Sequence, residues 1–220
     1  MTEAPRRRWL AIVLIAVAVA GVAFAAGRFS TFGTSGPALP TTDSPEAGFA
    51  RDMQYHHGQA VDMAMTIHRK TGDEELRALS YDIATGQAAQ RGEMFDWLVK
   101  WGLPQAGGPV MAWMAASDAG HDHGVTGAEP LTAEQEREAM GMASPEELNA
   151  LAAATGTEAD CLFLSLMIRH HEGALPMAEA LLELGSEPRT LAVAASMRDA
   201  QRFEIDAMTA AQQRLGCPAP

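Results

Sequence analysis

Two histidine doublets, His56-His57 and His170-His171, stand in matching surroundings 114 residues apart. Phe49, Met53, Ala60, Met63 and Ala64 around the first recur as Phe163, Met167, Ala174, Met177 and Ala178 around the second, so FxxxMxxHHxxAxxMA occurs twice. Imidazole and thioether are both metal ligands. Thioether is soft and selects Cu(I), while imidazole also accepts Cu(II) or Zn(II), so copper suits the mixture best and zinc comes second. The candidate ligand set is Met53, His56, His57, Met63, Met167, His170, His171 and Met177. Consecutive helical residues point about 100° apart, so one imidazole of each doublet faces inward and the other sideways. His57 follows Met53 by one turn and His56 follows Asp52 by one turn; in the second copy Leu166 replaces the acid.

Two other chemistries compete for these residues. A hydrogen-bond network could join the four histidines to Asp52, Asp62 and Glu172, with the methionines filling core gaps as they ordinarily do. A ferritin-like di-iron oxidase needs inward glutamates and Glu-x-x-His pairs. No Glu-x-x-His occurs in the chain, which disfavours iron. Glu93 and Glu204, beside Arg91 and Arg202, read as salt-bridged helix partners. A second candidate metal set is His121 and His123, among glycines, with Met111, Met114, Met140 and Met142; it reads as a capture arm or as a solvated loop.

The ligands must be carried by helices. Ser44-Pro45 supplies a cap and a first-position proline, and residues 49, 53, 56, 60, 63 and 67 then share one helical face. Thr71-Gly72-Asp73 stops this helix and caps a second one, which ends at Gly102-Leu103-Pro104. The second helix also recurs, Gln90, Arg91 and Glu93 matching Gln201, Arg202 and Glu204 at an offset of 111. These blocks predict an all-α four-helix bundle of ferritin-like type, residues 46–216, built from duplicated hairpins 46–102 and 158–216 around an insert 103–157. Capping-box patterns at Thr132 and Ser144 predict short helices at about 132–140 and 145–154 within the insert. Gly185 and a capping Ser186 mark the second turn. A turn there brings Cys161 beside Cys217, which predicts a disulfide in an oxidising compartment; two free thiols are the other outcome.

Export is the reason to expect that compartment. Arg6, Arg7 and Arg8 precede an uncharged apolar run from Trp9 to Ala26, so residues 1–28 form a signal peptide or a membrane anchor, and residues 29–45 a Gly/Pro/Ser/Thr-rich linker. Either outcome places the rest outside the cytoplasm, secreted or attached to the membrane through this segment. The formal charge is −12, and −15 without residues 1–28, which excludes nucleic acid as a natural partner.

The stretches FARDMQYHHGQAVDMAM, QRGEMFDWL, MGMASPEELNALAAATG and FLSLMIRHHEGALPMAEA resemble an exported family filed as domain of unknown function 305 and described as ferritin-like. The resemblance implies a secreted or periplasmic helical bundle, with copper-binding members connected with metal tolerance, and it extends to the same eight Met and His positions. Relatives flank a proline and glycine with the methionine pair before the third helix, where this chain has Met140-Gly141-Met142. The expectation is an exported protein that binds copper and buffers or delivers it. A structural or protein-interaction module with a buried His network is the alternative, and a metal oxidase the weaker one.

Overall fold

The computed structural model describes residues 4–30, 38–118 and 132–218, and within them the regular structure is helical, without strands. The chain divides into a unit Met1–Leu39 and a unit Pro40–Pro220. In the first, helix α1 (Ala4–Ser30) contains the stretch Arg8–Arg28, of mean hydropathy 2.7, long and apolar enough to cross a membrane.

Four long helices make up most of the second unit: α2 (Pro45–Lys70), α3 (Glu74–Trp101), α6 (Gly156–Leu184) and α7 (Pro188–Leu215). Between α3 and α6 come a 3-10 turn (Ala112–Met114) and the short helices α4 (Ala133–Ala139) and α5 (Pro145–Ala153). Both expected capping boxes are present, at Thr132 and Ser144. α2 packs on α3, α6 on α7, and the two hairpins meet along α2 and α6. The α2–α6 seam is antiparallel. Glu46, at the start of α2, accepts from the backbone of Ser186 and Glu187 after α6, while Lys70, at the end of α2, donates to the carbonyls of Leu151 and Ala154 before α6.

The duplication runs through both helices of each hairpin at a single offset. α3 and α7 start, end and cap 114 residues apart: Asp73 and Glu187 are the N-caps, and Gly102 and Gly216 close the helices in the left-handed region, each with φ 68°. The sequence match at 111 is therefore one helical turn out of register. A slip of three residues returns almost to the same face of a helix, so a short polar block matches nearly as well there. The second turn also differs from expectation. Glu187 caps α7, and Ser186 instead donates through its N–H and hydroxyl to Glu46.

Cys161 and Cys217 are joined, with their Cα atoms 5.4 Å apart. Closing this 56-residue separation stabilises the fold by about 4 kcal/mol in the chain-entropy picture. In the first copy the corresponding residues are Ala47, buried, and Leu103, packed against the core.

The core has two parts. One contains Met53, Met94, Met177 and Met197 together with Met111, Met114, Met140 and Met142; the other contains Met63, Met167 and Met208 with Ile67, Ile83, Phe163 and Leu164. These four insert methionines are thus core. Met111, Met114 and Met140 are fully buried, which removes them from any solvated loop. His121 and His123 lie outside the described residues.

Candidate metal centre

Each long helix carries its polar pair between the two core clusters. On α2 the pair is His56 and His57, between Met53 and Ala60; on α6 it is His170 and His171, between Met167 and Ala174. On α3, Gln87 and Gln90 fall between Ala84 and Met94, and on α7, Gln201 and Glu204 fall between Met197 and Met208. A polar layer therefore lies between the two apolar clusters.

All four imidazoles are fully buried. His56 and His170, from the two copies, lie with ring centroids 3.6 Å apart and planes inclined by 31°. Within each doublet the rings are 6.2 Å apart, as consecutive helical residues must diverge. Every Nε2 has a partner. His56 donates to the Met140 carbonyl at 2.9 Å, His170 to the His56 carbonyl at 3.1 Å, His57 to Gln90 Oε1 at 2.7 Å and His171 to Glu204 Oε2 at 2.7 Å. Every Nδ1, by contrast, is buried without a hydrogen-bond partner. Both amide atoms of Gln87 and Oε1 of Gln201, at equivalent positions one turn before Gln90 and Glu204, are likewise unpartnered.

Burial disfavours the charged ring, so His56 is pushed down to about 4, His57 to about 3, and His170 well below the ordinary histidine value. A neutral imidazole holding its proton on Nε2 presents a bare lone pair at Nδ1. That is the form in which histidine binds a metal, and a second-nitrogen proton donated to a carbonyl or carboxylate is the usual support for such a ligand. Buried polar atoms are ordinarily satisfied, so four orphaned Nδ1 atoms in one layer fit a soft or borderline cation. Among the described residues, no three His, Cys, Asp or Glu side chains cluster in a metal-holding arrangement. Ligation would have to draw on thioether as well as imidazole.

The thioethers do not share one level. Met53 and Met177 lie in the cluster on one side of the layer, with Met140 and Met142, and Met63 and Met167 lie in the cluster on the other. The antiparallel seam produces this pairing, because the start of one motif meets the end of the other.

The expected acids are not the histidines' partners. Asp62 and Glu172 are exposed. Asp52 turns to the insert, accepting from the Met111 N–H and the Trp113 indole N–H, both at 2.8 Å. Its burial raises its carboxyl to about 6 despite those two donors. Glu204 bonds His171, and Arg202 pairs with Glu179, while Glu93 pairs with Arg189 of the other hairpin. Gln90, Glu204 and the Met140 carbonyl were missed as imidazole partners. Extending the 114-residue offset into the second helix would have paired Gln90 with Glu204.

The chain matches the family described as "Domain of unknown function (DUF305)" over residues 46–212. Its fold is similar to the crystal structure of a DUF305 protein from Streptomyces coelicolor, at 35% identity and a TM-score of 0.70, covering 82% of this chain and 99% of that one. A DUF305 fragment from Deinococcus radiodurans is similar at 30% identity and a TM-score of 0.63, covering 81% and 99%. CopM in its Cu(II)-bound form is similar at 23% identity and a TM-score of 0.58, covering 78% and 97%. Structures of CopM with Cu(I) and with Ag share the fold at 24% identity. No curated protein matches the chain. With the family's domain spanning both histidine doublets, the chain is a member of the DUF305 family.

Proposed function

We propose that this chain binds copper within the histidine layer and buffers or delivers it outside the cytoplasm, a role that requires no catalysis. The supporting observation is the set of four buried imidazoles whose Nδ1 atoms have no partner while each Nε2 is held in place. In this reading the ligands come from His56, His57, His170 and His171, with thioether from Met53 and Met177 on one side or Met63 and Met167 on the other. Met111, Met114, Met140 and Met142 are a secondary group of soft ligands, buried in the same cluster as Met53. Zinc is the second metal. The copper and silver of CopM belong to that protein; the donor set of this chain is what carries the reading. Apolar α1 acts as the export signal or the anchor, and residues 29–45 as the linker to the metal-binding domain 46–216.

Two features favour a second reading, a polar core that organises the bundle for a protein partner: each ring already makes one hydrogen bond, and no three His, Cys, Asp or Glu side chains cluster in a metal-holding arrangement among the described residues. Titration of the purified protein with Cu(I), Cu(II) and Zn(II), repeated with His56, His57, His170 and His171 changed to alanine, decides between them. Metal binding that is lost in the fourfold variant supports the centre. Absence of binding in the parent protein overturns it in favour of the polar core, and binding that survives moves the site to the insert.

A further inference from the structure

This inference rests on the metal reading of the histidine layer and concerns its two ends. The layer is built twice, yet not identically. His57 and His171 occupy the same position in the two copies and make the same 2.7 Å bond from Nε2 to the neighbouring helix. Their acceptors also stand 114 residues apart, but Gln90 is a neutral amide and Glu204 a carboxylate. Nearby cations do not remove the difference. Arg202 is engaged by Glu179, so the Glu204 carboxylate is left to His171, whose ring is wholly buried.

A carboxylate accepting the ring proton adds a negative charge beside the imidazole, and the charge-assisted bond increases electron density and basicity at the far nitrogen. An amide oxygen does this much more weakly. We infer that Glu204 makes His171 the stronger donor of the pair and so the anchoring end of the layer, while His57, held by Gln90, is the weaker and more readily exchanged ligand. Glu204 is a positioning residue, since it acts through His171 and not on the metal. The repeat would then hold its cargo at one end and release it at the other, as a protein that passes metal onward needs.

The test uses the full purified chain, with Cu(I) affinity measured by competition against a chromophoric chelator. Outer-shell carboxylates are worth about 10-fold to 100-fold in metal affinity, so Glu204→Gln should weaken Cu(I) by about that factor. Gln90→Glu should tighten binding, and the double exchange should restore affinity near the parent value. In the metal-free protein, nitrogen NMR should place the His171 Nε2 proton further downfield than that of His57, and Glu204→Gln should remove the difference. A merely structural Glu204 would not be rescued by the exchange at Gln90. If the parent binds Cu(I) and neither single variant changes affinity by more than about twofold, against that outer-shell effect, the inference is overturned while the metal reading stands. If the parent binds no Cu(I), both fall.

Discussion

Asp52 and Leu166 occupy the same position in the two copies, and so do Gln59 and Gly173. In the first copy this face of α2 is polar and holds the insert. Asp52 accepts from Met111 and Trp113, His56 donates to Met140, and Gln59 exchanges two hydrogen bonds with the backbone of Ala143. In the second copy Leu166 and Gly173 replace two of those polar groups, and α6 holds the insert through a different residue, Arg169, which pairs with Glu147 and donates to the Gly141 carbonyl. A Cβ at Gly173 would lie 2.1 Å from the Met140 carbonyl oxygen, and Gly141 itself adopts a φ of +65° against the backbone of Arg169. A single insert cannot be gripped alike by two symmetry-related helices. At positions 52/166 and 59/173 one copy therefore latches the insert and the other makes room for it, while His56 and His170 keep their residue type and change partners.

Exchanging residues between the copies tests this division. The largest effect is expected from Leu166→Asp, which gives the clearance copy the latch residue. It removes about 2 kcal/mol of apolar burial and leaves a buried carboxyl without the donors that serve Asp52, so a loss of about 5 kcal/mol in urea unfolding is expected. Survival of the parent's stability would show that the two faces are equivalent. Next comes Gly173→Gln, the residue of the first copy. The backbone at Met140 has to move away, at a loss of about 3 kcal/mol, and the Trp113 emission should shift as the insert loosens.

Acid sharpens the comparison with the smallest increments. His56 and His57 hold folded values of about 4 and 3 against 6.5 when unfolded, so the unfolded chain binds the extra protons on acidification. Their contribution is complete above pH 6.5 and is lost as pH falls toward those folded values, by about 1.4 kcal/mol per pH unit for each group. Asp52 acts in the opposite sense. Its folded value of about 6 lies above the ordinary 3.8, so its contribution is complete below 3.8 and is lost as pH rises through 6. The histidines outnumber it, and metal-free protein should lose stability between pH 6 and 4. Asp52→Asn should steepen that loss; an unchanged slope in unfolding curves measured across this range would remove Asp52 from the account.

Much of the fold was legible because local rules and long-range packing agreed. Ser44-Pro45, Asp73 and Gly102 act as written, both capping boxes form, and the apolar spacing of α2 marks the face it buries. The insert was not legible. Its methionines looked like a loop's because no periodicity joins them, and only packing against α2 and α6 makes them core. The histidines' partners were hidden for a related reason. Asp52, Asp62 and Glu172 are near His56, His57 and His171 along the chain, whereas the groups that bond them, Gln90, Met140 and Glu204, are brought there by other segments.

Residue type and spacing alone determined the helices, the duplication, the cysteine pair and the eight candidate Met and His ligands. Those features depend on the chain's own periodicity, which a helix preserves. The tertiary structure decided which donors share a level, since the antiparallel α2–α6 seam puts Met53 with Met177 and Met63 with Met167. It also decided which imidazole nitrogen is held and which is left bare. Hydrogen bonds across 33 to 114 residues of chain set that choice, and no local rule reaches so far.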